Sequence, residues 1–270
     1  MNRDRQVALM LRAVTLGVAA LVWLIGLDFL WEARPAMTAL WGWDWRPALG
    51  RFGIPALIGG SLMVAGGAIL VALPIGIGVA LYLTEFAGPR RNRWLQRLLQ
   101  VLAGMPSVVI GSLGWIYLVR AMGDRSDGLR LVITFGLLGL LILPTVATLG
   151  ASALNALPPG YREGAIALGA TRWQAVQRLL LPAARAGLFQ ATLLAFGRAI
   201  GETMIVLLTV RRDYAGFAYG MPAVQPVTSA IAMEIPTSVG IHRAALFGAG
   251  AVLLGLSLLM GAIARRFGRP

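Results

Sequence analysis

Six apolar runs divide the 270-residue chain: Ala13 to Trp31, Ile54 to Phe86, Leu98 to Val119, Leu129 to Leu154, Gly187 to Val210 and Ala244 to Ala264. Each is long enough to cross roughly 30 Å of hydrocarbon at about 1.5 Å per residue, so the pattern predicts an all-α polytopic membrane protein with six transmembrane helices. The first run follows Arg3, Arg5 and Arg12 and lacks a small-residue cleavage site immediately after it, which favours a retained span over a signal peptide. Trp31, Trp41, Trp43 and Trp45 follow as an aromatic cluster suited to headgroup depth. The second run carries Gly59, Gly60, Gly66, Gly67, Gly76 and Gly78, which allow close helix packing, and Pro74 is a candidate kink.

The third run reads LAGMPSVVIGSLGW around Pro106, where a backbone hydrogen bond is lost and Gly104 eases bending. The carbonyls freed there need partners. Ser107 or a facing helix supplies them, or the opening lines an aqueous path. The fourth run contains Pro144. Between the last two runs, Arg211 to Arg243 is polar and holds a short helix around Val227 to Glu234.

One stretch is neither long enough to span nor polar enough to float free. From Pro158 to Pro182 the sequence reads PPGYREGAIALGATRWQAVQRLLLP. Two prolines and a glycine break what precedes them, and Tyr161, Ala165 and Leu168 then fall on one helical face. Gly169 ends that helix. Thr171 with Gln174 forms a capping box, Trp173, Val176 and Leu180 make the apolar face of a second helix, and Pro182 closes the unit. A short helical hairpin of this kind suits docking against another protein.

Composition narrows the chemistry. At 58% hydrophobic residues a soluble domain would aggregate, which agrees with the spans. The formal charge of +13 lies in short arginine clusters between apolar runs, as expected beside an anionic membrane surface rather than on nucleic acid. With no cysteine and one histidine, His242, thiolate and multi-histidine metal sites are excluded. All 24 basic residues are arginine, so the chain has no lysine for a phosphate-binding Walker loop. If ATP drives this protein, another chain binds it. The connecting segments on the side of the termini and the Pro158 to Pro182 unit hold 14 arginines against 9 on the opposite side, a bias that places both termini and the hairpin in the cytoplasm.

The remaining arginine, Arg198, lies inside the fifth run, with Glu202 four residues on and Thr203 adjacent. Charges at a helix centre cost roughly 2.5–3.5 kcal/mol each on insertion scales. On a continuous helix the two would share a face, as a self-neutralising pair or as a pathway pair in which Arg198 meets an oxyanion and Glu202 tunes or releases it. A membrane enzyme acting on lipid phosphate, with Glu202 or Asp127 as acid or ligand, would need clustered carboxylates that the sequence does not contain.

Glu163, Gly164 and Ala165, then Gly169, Leu179, Leu181 and Pro182, resemble the EAA loop of permease subunits in bacterial ABC importers. The departures are Gly for the first Ala and Leu for Ile. The segments GRAIGETM, LAGMPSVVIGSLGW and HRAALFGAGAVLLGLSLLMGAIA are similar to the phosphate transport system permeases, and to the first of that system's two permease subunits more than the second. The resemblance covers about Ile54 to Ala264, with the external loops poorly matched. It implies a single permease domain over residues 1–270 with core 54–264, in the bacterial inner membrane. It implies Arg198 and Glu202 as the substrate-pathway pair, beside Thr203 and Ser107, and contact of Glu163, Gly164, Ala165, Gly169 and Pro182 with an ATP-binding subunit dimer. The expected cargo is phosphate, with molybdate, tungstate or sulfate as neighbours. The other expected partners are a second permease subunit, identical or different, a periplasmic or lipid-anchored phosphate-binding protein, and membrane lipid, with ATP and magnesium held by the partner chain.

Overall fold

The structure, a computed structural model, describes residues 3–122, 127–210 and 224–267. Eleven α-helices and one short β-hairpin, with short 3-10 and π turns between them, form the regular structure of these residues. In order they are α1 (Arg3–Ala33), β1 (Trp45–Arg46), β2 (Arg51–Phe52), α2 (Ile54–Leu81), α3 (Pro89–Gly104), α4 (Ser107–Leu113), α5 (Asp127–Asn155), α6 (Pro159–Ala167), α7 (Arg172–Ala175), α8 (Leu181–Ile200), α9 (Met204–Thr209), α10 (Val227–Glu234) and α11 (Gly240–Phe267).

Five continuous helical units are long and apolar enough to span: Arg5–Ala36, Ile54–Phe86, Gly128–Asn155, Arg172–Ile200 and Gly240–Phe267. The third apolar run is a corner instead of a straight span. Pro89–Gly104 and Ser107–Val119 meet at 89°, and the pair makes a sixth crossing only if counted together. Met105 and Pro106 are both extended, with ψ of 130° and 132°. The proline ring disfavours helical backbone in the residue before it, so one helix ends and another begins. The arginines at 90, 91, 93 and 97, read as a loop cluster, lie within α3, which starts at Pro89 rather than at Leu98.

The fifth run also departs from expectation, at both ends. Its helix does not start near Gly187, because α7 runs through a π turn at Val176–Leu180 directly into α8. Leu181 donates to the carbonyl of Val176, five residues back, and Pro182 then sits in the first turn of α8. Pro182 therefore does not close the hairpin. At the far end the helix stops at Ile200, and a second one starts at Met204.

Helix α5 is the centre of the bundle, with half of its apolar stretch buried. Leu138, Leu141 and Ile142 meet Val64, Ala65, Ala68 and Ala72 of α2 and Ala195 and Ala199 of α8. The small residues of α2 let the two backbones approach. A Cβ on Gly67 would lie 2.5 Å from the Phe135 ring, and one on Gly76 would lie 2.6 Å from Val146. Gly67→Val is expected to lower the subunit's apparent stability by about 1–3 kcal/mol through overpacking. The neighbouring Gly66→Val, which has open space at that position, should be close to neutral. Thermal unfolding of the two purified variants checks the contrast.

Polar pairs lock the remaining helices. The hydroxyls of Thr134 and Thr209 are 2.8 Å apart and join α5 to α9, while Ser61 Oγ accepts the Val227 N–H at the start of α10. Phe29 packs edge-on against Phe247, and Phe189 against Phe267. The start of α1 and the end of α11 therefore lie at the same end of the bundle as α6 and α7.

At the opposite end, Trp45 is only 6% exposed, so it does not join the headgroup belt expected of it. Trp41 and Trp43 remain 81% and 86% exposed. Pairing of β1 with β2 sets Trp45 opposite Phe52, and its indole N–H reaches both carboxylate oxygens of Glu234, at 3.3 and 3.2 Å. Gln225 Nε2 donates to the same carboxylate, and His242 Nε2 lies 2.8 Å from it while its ring stacks on Phe52.

Candidate coupling and translocation sites

Local chemistry builds the α6–α7 hairpin. Pro158 is the N-cap of α6 and Pro159 its first residue, a position where the missing N–H costs nothing. The helix ends with Gly169 at φ +79°, a backbone conformation that favours glycine. The Ala170 N–H then bonds to the Ala165 carbonyl at 3.0 Å and the Gly169 N–H to that of Ile166 at 2.9 Å, a Schellman turn. The capping box forms as expected: Thr171 N–H donates to Gln174 Oε1 at 2.8 Å, and Gln174 N–H to Thr171 Oγ1 at 3.3 Å.

Between these helices lies an open groove of about 750 Å³, lined by Tyr161, Gly164, Ala165, Leu168, Gly169 and Leu179, among others. Val176 and Leu180 anchor the hairpin by packing against Ala80, Leu81 and Leu154. Trp173, expected on the same apolar face as Val176 and Leu180, is exposed, as is Leu168 at 90%. The structure thus brings Gly164, Ala165 and Gly169 together along one groove. It leaves Glu163 on the open surface beside it and Pro182 exposed in α8.

Sequence reasoning missed Arg162. Its Nε lies 3.0 and 3.2 Å from the two carboxylate oxygens of Glu85, its Nη2 lies 2.8 Å from Oε1, and Nη2 also donates to the Leu154 carbonyl at 3.0 Å. The signal was a lone acidic residue, Glu85, closing an apolar run, and an arginine at the head of the hairpin. Nothing in their spacing joined them.

The second site surrounds the interruption between α8 and α9. Arg198, in the last turn of α8, is exposed, and its Nη1 donates to Thr145 Oγ1 of α5 at 3.2 Å, immediately after Pro144. Glu202 does not pair with it. Helix α8 ends at Ile200 with Gly201 as its C-cap, and Glu202 lies in the gap before α9, which removes the shared face that a four-residue spacing would create. Glu202 turns the other way: Oε1 accepts the Met204 N–H at 2.9 Å and so caps α9, while its carbonyl accepts Thr228 Oγ1 at 3.0 Å. A carboxylate at a helix N-terminus is favourably placed against the exposed N–H groups. Thr203 is the N-cap residue of α9, yet its side chain makes no capping bond.

Ser107 opens α4 and is half-buried, one turn before Gly111. Gly111 presses on α9, where a Cβ would come within 3.1 Å of Ile205 Cα and 3.3 Å of the Met204 carbonyl. Ser107 therefore sits on the helix that meets α9, without a hydrogen bond to Arg198, Glu202 or Thr203. The side chain of Asp127 and residues 211–223 of the polar segment before α10 lie outside the described residues. The site combines an arginine steadied by one hydroxyl with further N–H donors on an open face, beside a broken helix. That arrangement can take up an oxyanion by charge-assisted hydrogen bonds.

Residues 72–269 match the family described as the inner membrane component of binding-protein-dependent transport systems. The chain belongs to that family. It is a multi-pass inner-membrane permease subunit of an ABC importer, a transport component and not an enzyme. The permease is 31% identical to the probable ABC transporter permease protein YqgH of Bacillus subtilis, over 93% of this chain and 84% of that one. It is 29% identical to the phosphate transport system permease protein PstC of Haemophilus influenzae, over 82% and 77%. Its fold is that of a permease chain in a bacterial alginate ABC transporter solved with an alginate-bound periplasmic protein. That match has a TM-score of 0.68 at 17% identity, over 99% of this chain and 96% of that one.

Proposed function

We propose that this permease carries inorganic phosphate across the inner membrane, with Arg198 as the residue the anion meets. The observation behind the reading is the geometry of that side chain. A guanidinium in a helix long and apolar enough to span, with a hydroxyl as its hydrogen-bond partner, retains most of its donors for a planar or tetrahedral oxyanion. The phosphate permease relatives favour phosphate over sulfate, molybdate or tungstate.

Transport runs inward, driven by ATP and magnesium on a dimer of ATP-binding subunits that receives the α6–α7 hairpin. Both termini lie in the cytoplasm with that hairpin. A second permease subunit, of the same or a different sequence, completes the pathway, and a periplasmic or lipid-anchored binding protein delivers the anion at the Trp45 end. Reconstitution of the complete complex in vesicles, with uptake of labelled phosphate measured against the other three oxyanions as competitors, tests the cargo. Phosphate is expected to be carried and to be displaced only weakly by the others. Preferential uptake of sulfate, molybdate or tungstate would replace it as the cargo.

A further inference from the structure

The α6–α7 hairpin joins the bundle through two interruptions of regular α-helix. One is the Leu157–Pro158–Pro159 connection, and the other is the π turn at Val176–Leu180. Neither links α6 directly to α2 or α3. Arg162 is the tie: both ends of its planar fork engage Glu85, and Nη2 also holds the last buried turn of α5 at Leu154. The two side chains are 26% and 11% exposed, so their attraction is only partly screened. A doubly hydrogen-bonded arginine–carboxylate pair resists rotation as well as separation.

Glu85 lies in the π turn Tyr82–Phe86 that ends the α2 unit, and the same turn is gripped from its other side by α3. Asn92 Nδ2 donates to the Leu83 carbonyl at 2.9 Å, Arg91 Nη1 to the Tyr82 hydroxyl at 3.2 Å, and Leu83 is buried with Leu99 of α3 and Ala147 of α5. Helix α3 ends at the 89° corner of Met105 and Pro106. Beyond it, α4 bears on α9 through Gly111, at the carbonyl of Met204, whose N–H is capped by Glu202. Contacts thus run without a gap from the hairpin to the helix break beside Arg198.

We propose that the Arg162–Glu85 pair transmits displacement of the hairpin through α3 and the Pro106 corner to the α4–α9 contact at the translocation site. Arg162 is then a positioning residue for transport, distinct from the groove that docks the ATP-binding subunit. The inference rests on the reading of the hairpin as that subunit's contact. This chain lacks cysteine, so a single Val109→Cys substitution, at an exposed position just past the corner, is its one maleimide site, and labelling is read on the separated permease band.

The test uses the complete complex in vesicles, carrying Arg162→Lys, Glu85→Gln, or the exchanged pair Glu85→Arg with Arg162→Glu. Arg162→Lys keeps the charge but not the fork. Expected in both single variants are normal co-purification of the ATP-binding subunit, retained ATP hydrolysis, and a drop of about tenfold in anion carried per ATP hydrolysed. The ATP-dependent change in maleimide labelling of Val109→Cys should be lost in both, and the exchanged pair should exceed either single variant in anion carried per ATP. Unchanged transport per ATP in both single variants, or labelling that still responds to ATP, would reduce the pair to a structural staple and overturn the proposal. Loss of the ATP-binding subunit from Arg162→Lys would overturn it as well, by placing Arg162 in docking. Failure of the underlying docking reading would appear separately, as full association and uptake in a Gly169 variant.

Discussion

Arg198→Ala is expected to abolish anion uptake while leaving the subunit folded and assembled. The side chain is exposed and, among the described residues, its one hydrogen bond is the 3.2 Å bond to Thr145, so its removal costs the fold about 1 kcal/mol. The buried face of α8 is made instead by Ala191, Ala195 and Ala199, which the substitution leaves in place. An anion in transit loses far more. Truncating one member of a desolvated, hydrogen-bonded charge pair costs about 2–5 kcal/mol, at least about thirtyfold in rate or affinity. Arg198→Lys should fall between the two, because an ammonium keeps the charge and loses the planar fork. Thr145→Val should have a smaller effect, since it removes only the group that steadies the arginine. Uptake of labelled phosphate by the reconstituted complex, with ATP-binding subunit association as the control, reads these differences. Wild-type uptake by Arg198→Ala would remove the residue from the pathway.

Gly169→Val should detach the ATP-binding subunit and abolish uptake with little change in the stability of the transmembrane bundle. The position has φ of +79° and open space where a Cβ would go, so the penalty comes from backbone conformation and not from a clash. An L-residue in this region costs roughly 1–2 kcal/mol, and a β-branched one tolerates it least. The Schellman turn then opens, and α6 loses its fixed angle to α7. The groove lined by Tyr161, Ala165 and Leu168 is no longer held in shape. Gly169→Asn should recover much of the loss, because asparagine enters left-handed backbone more readily. Gly164→Ala, at an exposed helical position with nothing of this chain near its Cβ, should leave the hairpin's own fold unchanged. Co-purification of the two subunits followed by uptake measures the series. Full assembly and uptake in Gly169→Val would argue against the hairpin as the docking element.

The hairpin was legible because its signals are local. Gly169, the Thr171 and Gln174 capping box and the paired prolines each act on residues within five positions, and each appears where the spacing places it. The helix at Val227–Glu234 was legible for the same reason. Pro182 misled because a proline reads as a stop, whereas a π turn before it supplies the wider backbone path that the ring needs. The four-residue spacing of Arg198 and Glu202 misled because it assumes a continuous helix, and the chain breaks between them.

From its residues alone this protein is a membrane-spanning chain with arginine in place of every lysine, no Walker-loop lysine, and a short helical hairpin between its fourth and fifth apolar runs. Those properties follow from hydrophobic run length, the absence of lysine and local turn chemistry, none of which needs a distant partner. The tertiary structure decided the rest. It turned the third run through a right angle, took Trp45 out of the aromatic belt to face Glu234, steadied Arg198 with Thr145, and joined Arg162 to Glu85 across 77 positions. These are meetings of side chains that lie far apart in sequence or of helices whose relative tilt is set by packing. A one-dimensional pattern carries the period of each helix but not the angle at which it crosses its neighbours.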